Sequence, residues 1–280
     1  MNRLFALLLI FISYQSYCQK KDLGLQFILN ENEIEGGMLF FDLEENDYYT
    51  NNKKSIRGRN LPGTSFQLFN ALMLYHLGIV KDSTQSLEWD GEERYFDDRK
   101  VPVWNQDTYL AEAFRNGTDW FFNVLSKDIE LKLFRKYVMK SKYGNMMSTR
   151  QENQDFWHGG AGKVSIEMKE QIKFLRRLQK YKLPFKKEHI HSVQELMLEK
   201  STEAYKLYGK VGLSKEDNLL IKGGDNIGWY IGYVECKDNT YFFVSYISKS
   251  YKDDREEFFE LRKKVVRKGL KHLFDIDVED

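Results

Sequence analysis

The apolar positions of this chain change period along its length, and the changes divide it into elements. Gly37-Met38-Leu39-Phe40-Phe41-Asp42-Leu43 is an apolar strand, and the polar Glu45-Asn46-Asp47 turns it into a second strand around Tyr48–Thr50, which predicts a β-hairpin. From Ser65 onward Leu68, Phe69, Leu72, Met73 and Leu77 recur at helical spacing, with Pro62 just outside the start and Gly78 at the end, as expected of a buried helix. Segments 106–142 and 165–180 carry the same period (Leu110, Ala113, Phe114; Ile172, Leu175, Leu178), the second with Ser165 as N-cap, and predict a helical lobe. Beyond residue 204 the pattern changes to strands at Tyr205–Val211, Ile227–Cys236 and Tyr241–Ile247, the last two joined by a turn at Lys237-Asp238-Asn239, which makes an antiparallel meander. A last helix from about Asp254 to Phe274 has Phe258, Leu261, Val265 and Leu270 on its apolar side, and its many cations read as a solvated face. The fold class expected is α+β, one antiparallel sheet flanked by helices plus a helical lobe. With no repeat, Pro-rich linker or low-complexity block between residues 19 and 280, that segment reads as a single domain.

The first 18 residues differ from the rest. One cation (Arg3), an apolar run from Leu4 to Ile12 too short to span a bilayer, and Ser16 and Cys18 at the −3 and −1 positions describe a secretory signal peptide cleaved before Gln19. The rival reading is lipidation of Cys18, for which Tyr17 is a poor context because small residues are expected there. The expected location is therefore exported and periplasmic. Composition adds two limits. At 42% apolar and 15% aromatic residues with three prolines, the chain can bury a large core. Loss of Arg3 leaves acids and bases balanced, so charge gives no reason to propose nucleic acid or an anionic membrane as partner. Cys236 would be the one remaining thiol, which excludes an intramolecular disulfide.

Candidate chemistry begins at Pro62-Gly63-Thr64-Ser65-Phe66-Gln67-Leu68-Phe69-Asn70-Ala71-Leu72, which resembles the nucleophile helix of class D β-lactamases and the related β-lactam sensor domains, P-x-S-T-F-K-x-x-N-A-L. The similarity continues in the family's order through Trp89-Asp90-Gly91, Tyr143-Gly144-Asn145, Phe156-Trp157, Phe174-Leu175-Arg176-Arg177-Leu178, Leu183-Pro184-Phe185, Lys210-Val211-Gly212, Gly228-Trp229-Tyr230-Ile231-Gly232-Tyr233-Val234-Glu235 and Leu261-Arg262. Each motif is weak, but the ordered set is a strong signal for the serine β-lactamase/penicillin-binding transpeptidase fold.

That resemblance implies a serine that attacks a β-lactam carbonyl, with a lysine one helical turn later, carboxylated on its amine, as general base. Here the serine position is Thr64 and the lysine position Gln67. A glutamine amide has no basic nitrogen and cannot form the carbamate. The family's proton-shuttling serine falls at Gly117, and Asp119 stands where the family has Val, or Asn in the sensors; as a carboxylate it is a candidate substitute base, although a structural Asp is the simpler reading. The ligand-holding positions are kept. Lys210 and Gly212 match the K-T-G strand, followed by Leu213; Arg262 matches the arginine that pairs with a β-lactam carboxylate, and Trp157 the tryptophan that shields the base. The bland reading of Lys210 and Arg262 is surface cations kept for solubility.

No metal or other cofactor is called for, since His158, His189 and His191 lack metal-site spacing. Gly159-Gly160-Ala161-Gly162 is not followed by G-K-[ST] and is no phosphate loop. The expectation is an exported penicillin-recognising protein, catalytically impaired, with a binding, sensing or scaffold role and a β-lactam or anionic peptide as ligand; no partner protein is indicated. Two alternatives stay open: an active or acyl-accepting enzyme using Thr64, and a structural protein with no pocket ligand.

Overall fold

The computed structural model describes residues 19–96, 99–146, 164–214, 226–249 and 255–278. Seven strands form one sheet: β1 (Gln19–Lys21), β2 (Glu35–Asp42), β3 (Asp47–Thr50), β4 (Leu198–Ser201), β5 (Tyr205–Ser214), β6 (Asn226–Cys236) and β7 (Thr240–Lys249), in the spatial order β1-β3-β2-β7-β6-β5-β4. Every pairing is antiparallel except that of β1 with β3. The hairpin and the meander therefore stand as the periodicity predicts, and β7 meets β2 in the middle of the sheet, Val244 opposite Leu39. Asn46 makes the hairpin turn at φ 58°, the left-handed region that Asn tolerates.

Alternation along the strands divides the core in two. On one face Leu39, Phe41, Trp229, Ile231, Tyr233, Phe242 and Val244 pack into the helical lobe. On the other Met38, Phe40, Tyr230, Val234, Phe243 and Ile247 pack against the helices at the two ends of the chain. Those are α1 (Leu23–Glu31), capped by Asp22 accepting from the Leu25 N–H, and a C-terminal helix over Arg255–Phe274. The C-terminal helix matches the expectation; α1 was not foreseen.

The lobe sharpens one expectation and corrects another. Segment 106–142 is three helices: α3 (Leu110–Asn116), α4 (Asp119–Ser126) and α5 (Leu131–Ser141), and between the first two Gly117 turns left-handed at φ 70°. Ser165 is not an N-cap. It lies in a short strand paired with Asn145, and α6 (Met168–Gln179) starts later, with Glu167 as N-cap in a reciprocal capping box with Glu170. A seventh helix, α7 (Lys187–Met197), buries Ile190, Val193 and Met197. The nucleophile-like segment is a 3-10 turn, Gly63–Phe66, running into helix α2 (Gln67–His76), which is buried along nearly its whole length. Phe66 and Phe69 stack at 5.5 Å and anchor it in the lobe.

Candidate functional site

The turn Gly63–Phe66 lies against β5, and a glycine makes that approach possible. A Cβ on Gly212 would lie 2.6 Å from the Ser65 backbone nitrogen, so any side chain there would push strand and turn apart. The consequence is a hydrogen bond across the junction: the Leu213 N–H donates to Thr64 Oγ1 at 2.9 Å. Among the described residues that is the hydrogen bond of the Thr64 hydroxyl, which meets no carboxylate and no imidazole. Ser65, the next hydroxyl along, is wholly buried and donates instead to the Pro62 carbonyl at 2.6 Å, so it is no alternative nucleophile.

One turn on, Gln67 is 2% exposed and its Nε2 donates to Asp119 Oδ1 at 2.9 Å. Its Oε1 is buried and meets no donor among the described residues. An amide oxygen left in that state costs about 1–3 kcal/mol, which an incoming donor or a water would recover. Asp119 is the first residue of α4, where a carboxylate also favours the positive end of the helix. Gly117, two residues earlier, faces the hydroxyl: a Cβ there would stand 3.2 Å from Thr64 Oγ1. Gly117 thus lies beside Thr64, as the motif positions lead one to expect, and brings no functional group to it.

The two retained cations are buried, so surface solubility does not describe them. Lys210 is 1% exposed; its Nζ donates to the Phe114 carbonyl at 2.7 Å and sits 4.9 Å from the centre of the Phe114 ring. Burial, reinforced by the charge of Arg262 and opposed by that of Asp119, brings the Lys210 ammonium down to about 7. Arg262, 6% exposed, donates from Nη1 to the Gly212 carbonyl at 3.0 Å and from Nε to the Phe259 carbonyl at 3.2 Å. Burial lowers it to about 10, with Glu260 opposing. It passes over Gly228, where a Cβ would be 2.5 Å from its Cδ. Arg262 therefore fastens the Gly212 backbone from one side while Ser65 closes on it from the other. Trp157, His158 and Gly159–Gly162 lie outside the described residues. His189 packs edge-on to His76 with ring centres 6.0 Å apart.

Comparison with known proteins decides the family. A profile described as the penicillin binding protein transpeptidase domain matches residues 32–269. The chain belongs to that family. It is 30% identical over 250 residues to beta-lactamase OXA-2 of Escherichia coli, a match covering 89% of this chain and 80% of the relative. It is also 30% identical over 212 residues to the regulatory protein BlaR1 of Bacillus licheniformis, covering 76% of this chain but 33% of that protein, so the chain spans about a third of the sensor relative. Among solved structures, a class D beta-lactamase from Sebaldella termitidis superposes with a TM-score of 0.81 at 29% identity, covering 94% of this chain and all of that one (100%). The C-terminal domain of the Bacillus licheniformis BlaR penicillin-receptor gives 0.74 at 26% identity, with 90% and 95% covered. The mixed α+β fold, a sheet flanked by helices, is that of the class D β-lactamases.

Within that fold the structure brings Thr64, Gly117, Gly212 and Leu213 to one junction and pairs Gln67 with Asp119. Leu213 was a candidate from the sequence, but that it acts through its N–H was not foreseen, and the Phe114 carbonyl had no signature at all. Both are backbone groups, and only the pairing of β5 with its surroundings selects them. Chemically, an acyl carbonyl formed on Thr64 would lie near the Leu213 N–H, a donor suited to a developing oxyanion. In the unliganded protein the threonine hydroxyl itself takes that donor.

Proposed function

We propose that this chain is an exported, periplasmic penicillin-recognising protein of the class D branch in which turnover is disabled and ligand binding is kept, in a sensing or scaffold role. The observation that carries this reading is the Gln67–Asp119 hydrogen bond. At the position where the family holds its base there is an amide, and the nearby carboxylate is engaged with that amide. Asp119 is thus better explained as the partner of Gln67 than as a base for Thr64. The kept junction of Gly212, Leu213 and Thr64, with Lys210 and Arg262 buried behind it, supports a site shaped for an acylated or carboxylate-bearing ligand.

A second reading has one observation in its favour. The Thr64 hydroxyl lies 2.9 Å from the Leu213 N–H, a donor that an acyl carbonyl on Thr64 could use, so Thr64 could still accept an acyl group. Intact-mass spectrometry after incubation with a panel of penicillins and carbapenems separates the two. The binding reading expects no adduct and a thermal shift that depends on the ligand carboxylate; a stable adduct on Thr64 favours the acyl acceptor. Export is tested by N-terminal sequencing of the periplasmic fraction. A chain beginning at Gln19 is expected, and lipid mass on Cys18 would replace the soluble form with an anchored one.

A further inference from the structure

The end of α6 carries a stripe of cations. Lys173, Arg176, Arg177 and Lys180 follow the i, i+3, i+4, i+7 spacing that puts residues on one helix face. The first and last are about 10 Å apart along the axis at 1.5 Å per residue. A stripe of this kind is often only a solvated face that complements the negative end of the helix. Here the surroundings argue for more. The stripe borders a cavity of about 590 Å³, and two further cations from other elements close it: Lys142, just after α5, and Lys182, in the loop leading to α7. Six cations from three places in the chain thus converge on one concave surface.

Their compensation is sparse. Glu170 is the acidic side chain of the lining, and it is held by Arg59 in a two-pronged ion pair, with contacts of 3.0 and 2.8 Å. Among the described residues no carboxylate lies within ion-pair distance of Lys142, Lys173, Lys180 or Lys182. Arg177 is half-buried and donates to the Lys140 and Lys182 carbonyls at 3.3 and 3.4 Å, and to that of Ser141. Those bonds fix its charge and tie the Lys182 loop to the end of α5. Arg176 sits over the Phe41 ring, its guanidinium carbon 4.1 Å from the ring centre. Lys142 is itself held by a left-handed backbone at φ 47°. Two of the charges are therefore rigid, and four are long, mobile ammonium groups around them. Repulsion within the stripe is felt by the neighbouring Lys169, whose ammonium is lowered first by burial and then by Lys173.

We propose that this cavity is a binding site for a linear anion carrying several phosphate groups, separate from the Thr64 site. Successive phosphates along about 10 Å would meet Lys173, Arg176 and Lys180 in turn, with Lys142 and Lys182 closing on the opposite side. Phosphate fits better than a lone carboxylate because each group offers several acceptor oxygens to ammonium and guanidinium donors. Binding should release counterions and so weaken steeply with salt.

Isothermal titration calorimetry with sodium tripolyphosphate, and with inorganic phosphate for comparison, tests the site at low ionic strength. The wild-type protein should bind tripolyphosphate at least tenfold more tightly than inorganic phosphate. The variant K173Q/K180Q should lose at least tenfold in tripolyphosphate affinity. K264Q/K271Q, two cations removed from the C-terminal helix on the other side of the sheet, should stay within twofold of wild type. All four substituted lysines are on the surface, so unchanged melting curves will show that both variants fold. Absence of tripolyphosphate binding, or an equal loss in the two variants, would overturn the proposal; neither result would bear on the reading of Thr64 and Gln67.

Discussion

The wall formed by β5 and the C-terminal helix and the start of the Gln67–His76 helix meet at one junction, yet the two regions are built differently. In the wall, the polar groups that meet at the junction are paired. Lys210 donates to the Phe114 carbonyl, Arg262 to those of Gly212 and Phe259, and the Leu213 N–H to Thr64. At the helix start a buried amide oxygen of Gln67 lacks a donor among the described residues, and Gly117 leaves the space beside the Thr64 hydroxyl without a side chain. The difference teaches that holding the site's shape and performing its chemistry depend on separable residues. On the proposed reading the substitutions fall where protons would be moved, and the shape is maintained by glycines and backbone carbonyls.

The largest effect is expected from rebuilding the helix start. Gln67→Lys alone should not produce turnover. The new ammonium would meet the Asp119 carboxylate that Gln67 now touches, and an amine held in an ion pair is protonated and cannot be carboxylated. Adding Asp119→Val, Thr64→Ser and Gly117→Ser should raise penicillin hydrolysis at least about 100-fold above wild type, the range a positioned base supplies. Gly117 sits at φ 70°, so its serine costs about 1–2 kcal/mol and limits the gain. Steady-state kinetics on the single and quadruple variants check this; equal rates in the two would remove the distinction between the regions.

A smaller effect is expected in the wall. Gly212→Val should destabilise the fold by about 1–3 kcal/mol, because the added carbons meet the Ser65 backbone and neither strand nor turn can yield without breaking the Arg262 and Leu213 bonds. Urea unfolding should show a lower midpoint with an unchanged slope.

The wall is also expected to titrate. Lys210 holds its proton only below about 7 in the folded protein and up to its ordinary 10.5 when unfolded, so across that window the unfolded state binds more protons. Folding stability should therefore rise with pH between about 7 and 10.5, with the penalty complete below 7. Lys210→Met should remove that rise. Urea titrations at pH 7, 8 and 9 measure it, and parallel curves for wild type and variant would mean that Lys210 stays charged throughout.

Much of this architecture could be read from the sequence, for reasons that differ by element. The hairpin at Asn46 and the β5–β7 meander were legible because apolar, aromatic and β-branched runs are bounded by polar turns, and the C-terminal helix because a period of 3.6 persists along it. The division of 106–142 was not, since Leu110, Ala113 and Phe114 keep helical spacing up to Gly117 and a single left-handed glycine ends the helix. Ser165 was a plausible cap by type, but pairing with Asn145 outweighs that preference and leaves the role to Glu167. At the site, the positions Thr64, Gln67, Gly117, Lys210 and Arg262 were legible through the family's motifs. Their connections were not. The amide–carboxylate pair spans 52 residues of sequence. The Leu213 and Phe114 contacts use backbone atoms that every residue carries.

The central claim, that Thr64 is held in a competent shape without a base to activate it, is tested most directly by nitrocefin hydrolysis in wild type and Thr64→Ala. A hydroxyl that nothing deprotonates contributes nothing to the rate, and the Leu213 N–H and the Lys210 side chain remain in the variant, so the two rates should coincide. A wild-type rate tenfold or more above that of Thr64→Ala, equivalent to about 1.4 kcal/mol of transition-state stabilisation, would contradict the claim and make Thr64 a working nucleophile.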